Sequence, residues 1–188
     1  MFRTLLVGGA RSGKSALAEQ LAQDSGRKVV VIVTADATAA DPEMQARIGR
    51  HQAERPSDWR TLEINQSLSL GAAIASECVP GAMVIVDCLT VWLANQLFPP
   101  AMAWADDASY ALPDTWSDAR DGLLAAIRGA QGELILVSNE VGLGIVPLGA
   151  GNRAFVDEAG WLNQAVARLS ERVGFVAAGL PLALKGAF

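Results

Sequence analysis

Five short runs of the chain are rich in Val, Ile and Leu without clean alternation: Arg3 to Val7, Lys28 to Thr34, Met83 to Asp87, Glu133 to Ser138 and Gly174 to Ala178. A strand with one wet face alternates apolar and polar positions, whereas a continuous apolar strand is buried on both faces, so these runs predict a largely parallel central sheet. Helical patterns fall between them, over Lys14 to Asp24, Pro42 to Glu54, Leu68 to Cys78, Ser117 to Ala130 and Ala154 to Arg172. Strand and helix thus alternate almost throughout, the signature of a doubly wound α/β fold with helices on both faces of the sheet. Trp59 to Ile64 and Leu182 to Lys185 add short edge strands. The helix beginning at Pro42 has an N-cap in Asp41, proline at its first position, Glu43 in its first turn and Pro56 just beyond its end. Pro99 to Thr115 has no sustained period and carries three prolines, so it reads as a surface excursion or an oligomer contact.

The 188 residues, 51% of them hydrophobic, suit one domain over residues 1–188 that buries a full core without disulfides. Cys78 and Cys88 lack metal-ligand spacing and read as reduced core thiols of a cytoplasmic protein. No apolar stretch reaches the roughly 18 to 20 residues of a membrane span. The net charge of −5 argues against a nucleic-acid partner, which demands a basic face. A small phosphorylated ligand needs only a local positive site.

Such a site stands directly behind the first strand. Gly8-Gly9-Ala10-Arg11-Ser12-Gly13-Lys14-Ser15 fits G-x-x-x-x-G-K-[ST], with a strand before it and a helix after it. Glycines let successive backbone N–H groups point at one anion, and the first helical turn adds its positive dipole end. Lys14 is expected to reach the β- and γ-phosphates, and the Ser15 hydroxyl to help hold Mg²⁺. A metal in such a loop needs a carboxylate at the end of a neighbouring buried strand, and Met83-Val84-Ile85-Val86-Asp87 supplies Asp87. These residues imply a nucleoside triphosphate and magnesium, without saying whether the protein is a kinase, a hydrolase or a switch.

His51 is the sole histidine. Offsets of 3, 4, 7 and 11 residues return to nearly the same helical angle, so Met44, Arg47, Ile48, His51 and Arg55 share one face of the Pro42 helix. Two arginines beside the imidazole suit a polyphosphate and favour its neutral, nucleophilic form. Against this stands a hydrogen-bonded packing histidine, and spacing alone leaves the two readings even. Asn139 and Glu140 emerge at the carboxyl end of a buried strand, where open α/β sheets bind ligands, and a Gly-rich loop follows them. A polar turn explains the same pair. Asn152 and Arg153 stand ahead of the last long helix, as caps or as phosphate contacts.

The phosphate loop, H-x-x-x-R-P-x-x-W-x-T-x-E from His51 to Glu63, Val86-Asp87-Cys88-Leu89-Thr90 and Asn139-Glu140-Val141-Gly142-x-Gly144-x-Val146-Pro147 occur in this order over nearly the whole chain. The set resembles the bifunctional adenosylcobinamide kinase / adenosylcobinamide-phosphate guanylyltransferase family of cobalamin biosynthesis. The resemblance implies a P-loop fold of the RecA-like group with a mixed sheet, and a homotrimer. It also implies two reactions. The γ-phosphate of ATP or GTP passes to the aminopropanol hydroxyl of adenosylcobinamide. A histidine, here His51, then attacks the α-phosphorus of GTP, releases pyrophosphate and passes GMP to adenosylcobinamide phosphate. By motif position, Gln52, Ala53, Glu54, Arg55, Glu63 and Asp87 fall where the family contacts GTP, as do Thr34, Ala35 and Asp36. Two other readings compete: a small-molecule kinase in which His51 is structural, and a nucleotide-dependent switch acting on a protein or DNA, which expects a basic face.

Overall fold

The computed structural model describes residues 2–34, 55–64, 68–99 and 109–188. Seven strands form one sheet: β1 (Arg3–Gly8), β2 (Lys28–Val33), β3 (Arg60–Glu63), β4 (Ala82–Asp87), β5 (Glu133–Asn139), β6 (Arg172–Ala177) and β7 (Leu180–Lys185). Their order is β3-β2-β4-β5-β1-β6-β7, every neighbouring pair parallel except β6 and β7. The phosphate-loop strand β1 therefore lies inside the sheet, between β5 and β6.

Alternation of side chains assigns the two faces. Leu5, Val7, Val30, Ile32, Val84, Val86, Leu134 and Leu136 pack under α2 (Leu70–Glu77), α3 (Leu89–Leu97), α4 (Trp116–Gly129) and α5 (Ala150–Leu169). Leu6, Val29, Val31, Val33, Met83, Ile85, Ile135 and Val137 pack with Ala18 and Ala22 of α1 (Lys14–Asp24). The apolar runs are double-sided for this reason. On α4, Trp116, Leu123 and Ile127 return to the core at helical spacing, and on α5 Ala159, Leu162 and Val166 do the same.

Several boundaries differ from the sequence expectation. Helix α3 lies where no helix was expected: its buried positions, Leu89, Thr90, Trp92, Leu93 and Leu97, share one side, but Val91 and Ala94 elsewhere on its surface are apolar too, so the short run shows no clear amphipathic period. Helix α5 begins at Ala150, four residues earlier than expected, on a bond from Arg153 N–H to the Gly149 carbonyl. It ends at Leu169 rather than Arg172, because Ser170 leaves helical conformation and turns its hydroxyl back to Val166 C=O, 2.8 Å away. Strand β6 consequently starts at Arg172. Asn152 and Arg153 lie inside the first turn of α5, where the Arg153 guanidinium donates to the Leu148 and Pro147 carbonyls, so the expected cap is Gly149 instead. The helix expected over Pro42 to Glu54 lies outside the described residues, as does the 100–108 part of the proline-rich excursion. Within the remainder of that excursion, the Tyr110 hydroxyl donates to Leu97 C=O at 2.6 Å. Both cysteines are buried free thiols. Among the described residues no helix is long and apolar enough to cross a membrane.

One ion pair fastens the start of β1. The Arg3 guanidinium donates to Glu171 Oε1 at 2.6 Å and its backbone N–H donates to Oε2 at 2.6 Å. These hydrogen bonds, with the positive charge, lower the Glu171 carboxyl from 4.5 to about 2. A folded-state value below the unfolded one adds stability above the unfolded value, which is lost as pH falls from about 4.5 towards 2. The Glu171 side chain is 37% exposed, so solvent screening reduces the effect to about 1 kcal/mol. Glu171→Gln should therefore be about 1 kcal/mol less stable than the parent chain at pH 7, with the gap closing near pH 2. Urea unfolding across that pH range measures it, and a pH-independent gap would show that the ion pair is not its source.

Candidate active site

The loop from Gly8 to Ser15 joins the carboxyl end of β1 to the first turn of α1. Its conformation needs its glycines. A Cβ on Gly8 would fall 2.2 Å from the Val176 carbonyl oxygen. Gly13 has φ of 97°, and a Cβ there would fall 2.8 Å from the Cα of Gly179 in the β6–β7 turn. Arg11 also takes a left-handed φ, 56°. A bond of 2.8 Å from Gly179 N–H to Ser12 C=O braces the loop from behind. The Lys14 side chain is buried, and its ammonium donates to Gly9 C=O at 2.6 Å and contacts the Ser12 hydroxyl at 3.3 Å. The cation is thus held against its own loop, where the helix dipole already favours an anion.

Asp87 ends β4 on the face that carries α1, since Met83 and Ile85 face that way and side chains alternate. Its Oδ1 lies 3.4 Å from the Ser15 hydroxyl. A hydroxyl beside a carboxylate is the hard-oxygen donor pair that Mg²⁺ takes when phosphates and waters complete its shell. No group of three or more His, Cys, Asp or Glu side chains suited to a metal occurs among the described residues.

Arg55 reaches the same place from the far end of the motif that begins at His51. Its side chain is only 6% exposed, its Nε donates to Glu19 Oε1 of α1 at 3.1 Å, and its guanidinium lies 4.0 Å from Asp87 Oδ2. Its remaining buried nitrogen, Nη1, has no hydrogen-bond partner among the described residues. Leaving a buried donor on a charged group unsatisfied costs upwards of about 1–3 kcal/mol, and a phosphate oxygen would relieve it.

Thr34 is buried, but its hydroxyl is engaged internally: it donates to Cys88 C=O at 2.7 Å and accepts from Cys88 N–H at 3.0 Å. The side chain thereby fixes the backbone immediately after Asp87. Glu63 is exposed at the end of the edge strand β3, four strand spacings from β1 and so about 19 Å across the sheet. It cannot touch the phosphates that the loop holds, and only a more distant part of a nucleotide can reach it. Ala35, Asp36, His51, Gln52, Ala53 and Glu54 lie outside the described residues.

Sequence reading passed over Glu19, the partner of Arg55, and the β6–β7 turn behind the loop. Glu19 looks like any solvated helix residue, and the turn lies more than 160 positions from the glycine it touches. Of the Asn139-Glu140 pair, Glu140 is a turn residue, its N–H bonded to Gly8 C=O at 3.0 Å and its carboxylate accepting from Gly142 N–H at 2.5 Å.

The family model for cobinamide kinase / cobinamide phosphate guanyltransferase matches residues 4–184. The chain belongs to that family. It is therefore an enzyme of cobalamin biosynthesis with kinase and guanylyltransferase activities on a P-loop α/β fold. It is 50% identical over 184 residues to a bifunctional adenosylcobalamin biosynthesis protein of Pseudomonas aeruginosa, covering 98% of each chain. It is 36% identical over 190 residues to one of Escherichia coli, covering 96% of this chain and 98% of that one. A solved Pyrococcus horikoshii protein shares the fold, with a TM-score of 0.54 at 10% identity over 100% of this chain and 87% of the other.

Proposed function

We propose that both reactions run at one nucleotide site, the Gly8 to Ser15 loop, each consuming its own nucleoside triphosphate. The observation that carries this is the convergence of three groups on the loop: the buried Lys14 ammonium, the Ser15–Asp87 oxygen pair and the Nη1 of Arg55, which no described residue engages. In the first reaction the aminopropanol hydroxyl of adenosylcobinamide bonds to the γ-phosphorus of ATP or GTP. The bond from that phosphorus to the bridging oxygen breaks, the nucleoside diphosphate leaves with the electron pair, and the hydroxyl proton passes to solvent. Lys14 and the loop N–H groups stabilise the charge on the transferring group. Mg²⁺ held by Ser15 and Asp87 would neutralise further phosphate charge.

In the second reaction the neutral imidazole of His51 attacks the α-phosphorus of GTP, and pyrophosphate leaves. The phosphate of adenosylcobinamide phosphate then displaces the histidine, giving adenosylcobinamide-GDP. Two displacements let one nucleophile face the α-phosphorus before the corrinoid arrives, and an imidazole is competent at neutral pH. Arg55, four residues beyond His51 and buried against α1, supports this placement because it brings that end of the segment to the loop. Thr34, Ala35, Asp36, Gln52, Ala53, Glu54 and Glu63 complete the GTP contacts. The same resemblance carries a cytoplasmic homotrimer, for which the outer strand β7 offers an unpaired edge with Leu180, Leu182 and Leu184 exposed.

Intact-mass spectrometry after incubation with Mg-GTP tests the covalent step. The expected result is a gain of one GMP, removed by mild acid. No adduct across several pH values, with GTP binding confirmed, would sink the guanylyl-histidine.

A further inference from the structure

We infer that Asn139 is a catalytic residue of the kinase step, its carboxamide donating to the γ-phosphoryl group as that group moves to the acceptor hydroxyl. Strand β5 alternates strictly. Leu134 and Leu136 face the four-helix layer and Ser138 meets Thr90 of α3 on that side, whereas Ile135 and Val137 face α1. Asn139 is therefore on the α1 face, the face of the phosphate loop. It stands in register with Gly8, the first residue of that loop, about 4.8 Å away across the sheet. Asp87 is in register with Val137, so Asn139 lies two residues, roughly 7 Å, farther along the strand direction than the Ser15–Asp87 pair. On this inference the outer phosphate of a loop-held nucleotide lies on that side.

The backbone around Asn139 is fixed at three successive points. Its N–H donates to the buried Thr90 hydroxyl at 2.6 Å, its carbonyl accepts from the Asn163 amide at 3.3 Å, and the next N–H, of Glu140, donates to Gly8 C=O at 3.0 Å. Three different elements, α3, α5 and the phosphate loop, therefore hold one half-buried residue whose side-chain amide forms no hydrogen bond with any described residue. A clamped backbone with an uncommitted N–H₂ is a preorganised donor, and such donors act where charge develops during transfer. The phosphorus–oxygen bonds that form and break are those of the kinase step above, and the carboxamide gains or loses no proton. Thr90 and Asn163 are positioning residues, acting through the Asn139 backbone.

The inference rests on the loop being the nucleotide site. It is tested by kinase kcat and KM, nucleotide Kd and the rate of GMP-adduct formation, in the parent chain and in Asn139→Ala, Asn139→Asp, Thr90→Val and Thr90→Ser. Asn139→Ala should lower kinase kcat about 100-fold, as loss of one such donor does elsewhere, while nucleotide Kd shifts less than about threefold. Adduct formation, which occurs at the α-phosphorus, should suffer at least about tenfold less than kcat. Asn139→Asp, which keeps the size but loses both N–H donors and adds negative charge, should be no better than Asn139→Ala. Thr90→Val should lose part of kinase kcat and Thr90→Ser should restore it. A kcat for Asn139→Ala within about threefold of the parent, or a parallel loss of adduct formation and nucleotide binding, would overturn the inference. Parent-like nucleotide affinity in a Lys14→Ala control would instead overturn the placement of the nucleotide, and with it the role of Asn139.

Discussion

Lys14→Ala is expected to abolish both activities, with kinase and guanylyl transfer each falling by about 10³-fold or more. The ammonium is the one lysine of the loop, and it lies buried against the loop backbone, 2.6 Å from Gly9 C=O. In that setting a positive charge would act on the β- and γ-phosphates through little water, and it would serve both reactions because both expel a phosphate-bearing leaving group. The same lysine bonds its own loop, so its loss also loosens the cradle. Circular dichroism and a thermal melt separate that effect from unfolding. Side-by-side assays of phosphate transfer to cobinamide and pyrophosphate release from GTP give the result, and a well-folded variant retaining either activity within about tenfold would show that the loop does not serve both.

His51→Ala should split the two activities. Guanylyl transfer should fall below detection, because no other side chain is proposed to accept GMP. Phosphoryl transfer to cobinamide should stay within about tenfold of the parent chain, since that step needs Lys14 and the loop rather than a nucleophilic imidazole. The variant should also lack the acid-labile mass gain on GTP. Equal loss of both activities in a folded variant would make His51 part of a shared nucleotide contact and remove the division of labour.

Most of the sheet was legible because its strands are buried on both faces, and such strands announce themselves as unbroken apolar runs. The phosphate loop was legible because few sequences satisfy its glycine constraints between a strand and a helix. Helix α3 was not, since apolar residues on its outer side, Val91 and Ala94, blur the period by which so short a helix could be read. The reach of Arg55 to Glu19 and Asp87 was also invisible, because no spacing rule relates positions 19, 55 and 87. Asn139 was visible as a polar residue at the ligand-binding end of a strand and as the first residue of the motif that runs to Pro147. Its face, its clamped backbone and the demotion of Glu140 to a turn residue needed coordinates, since each depends on which helix lies above the strand. Thr34 is a further instance: its place at a strand end was evident, but the engagement of its hydroxyl by Cys88 was not.

The contact between Gly13 and Gly179 ties an early part of the chain to a late one. During synthesis the glycine loop emerges first among the elements of its site, and the turn that braces it emerges more than 160 residues later. At biosynthetic speeds of about 5–20 residues per second the loop waits some ten to thirty seconds for its support. The loop's braced conformation is thus one that the nascent chain can complete only late, once β6 and the turn beyond it have been added beside β1. Once acquired, it feeds back on the whole sheet: nucleotide at 100 times its Kd would favour the folded chain by about 2.7 kcal/mol. Substrate supply would in this way support the survival of the folded enzyme.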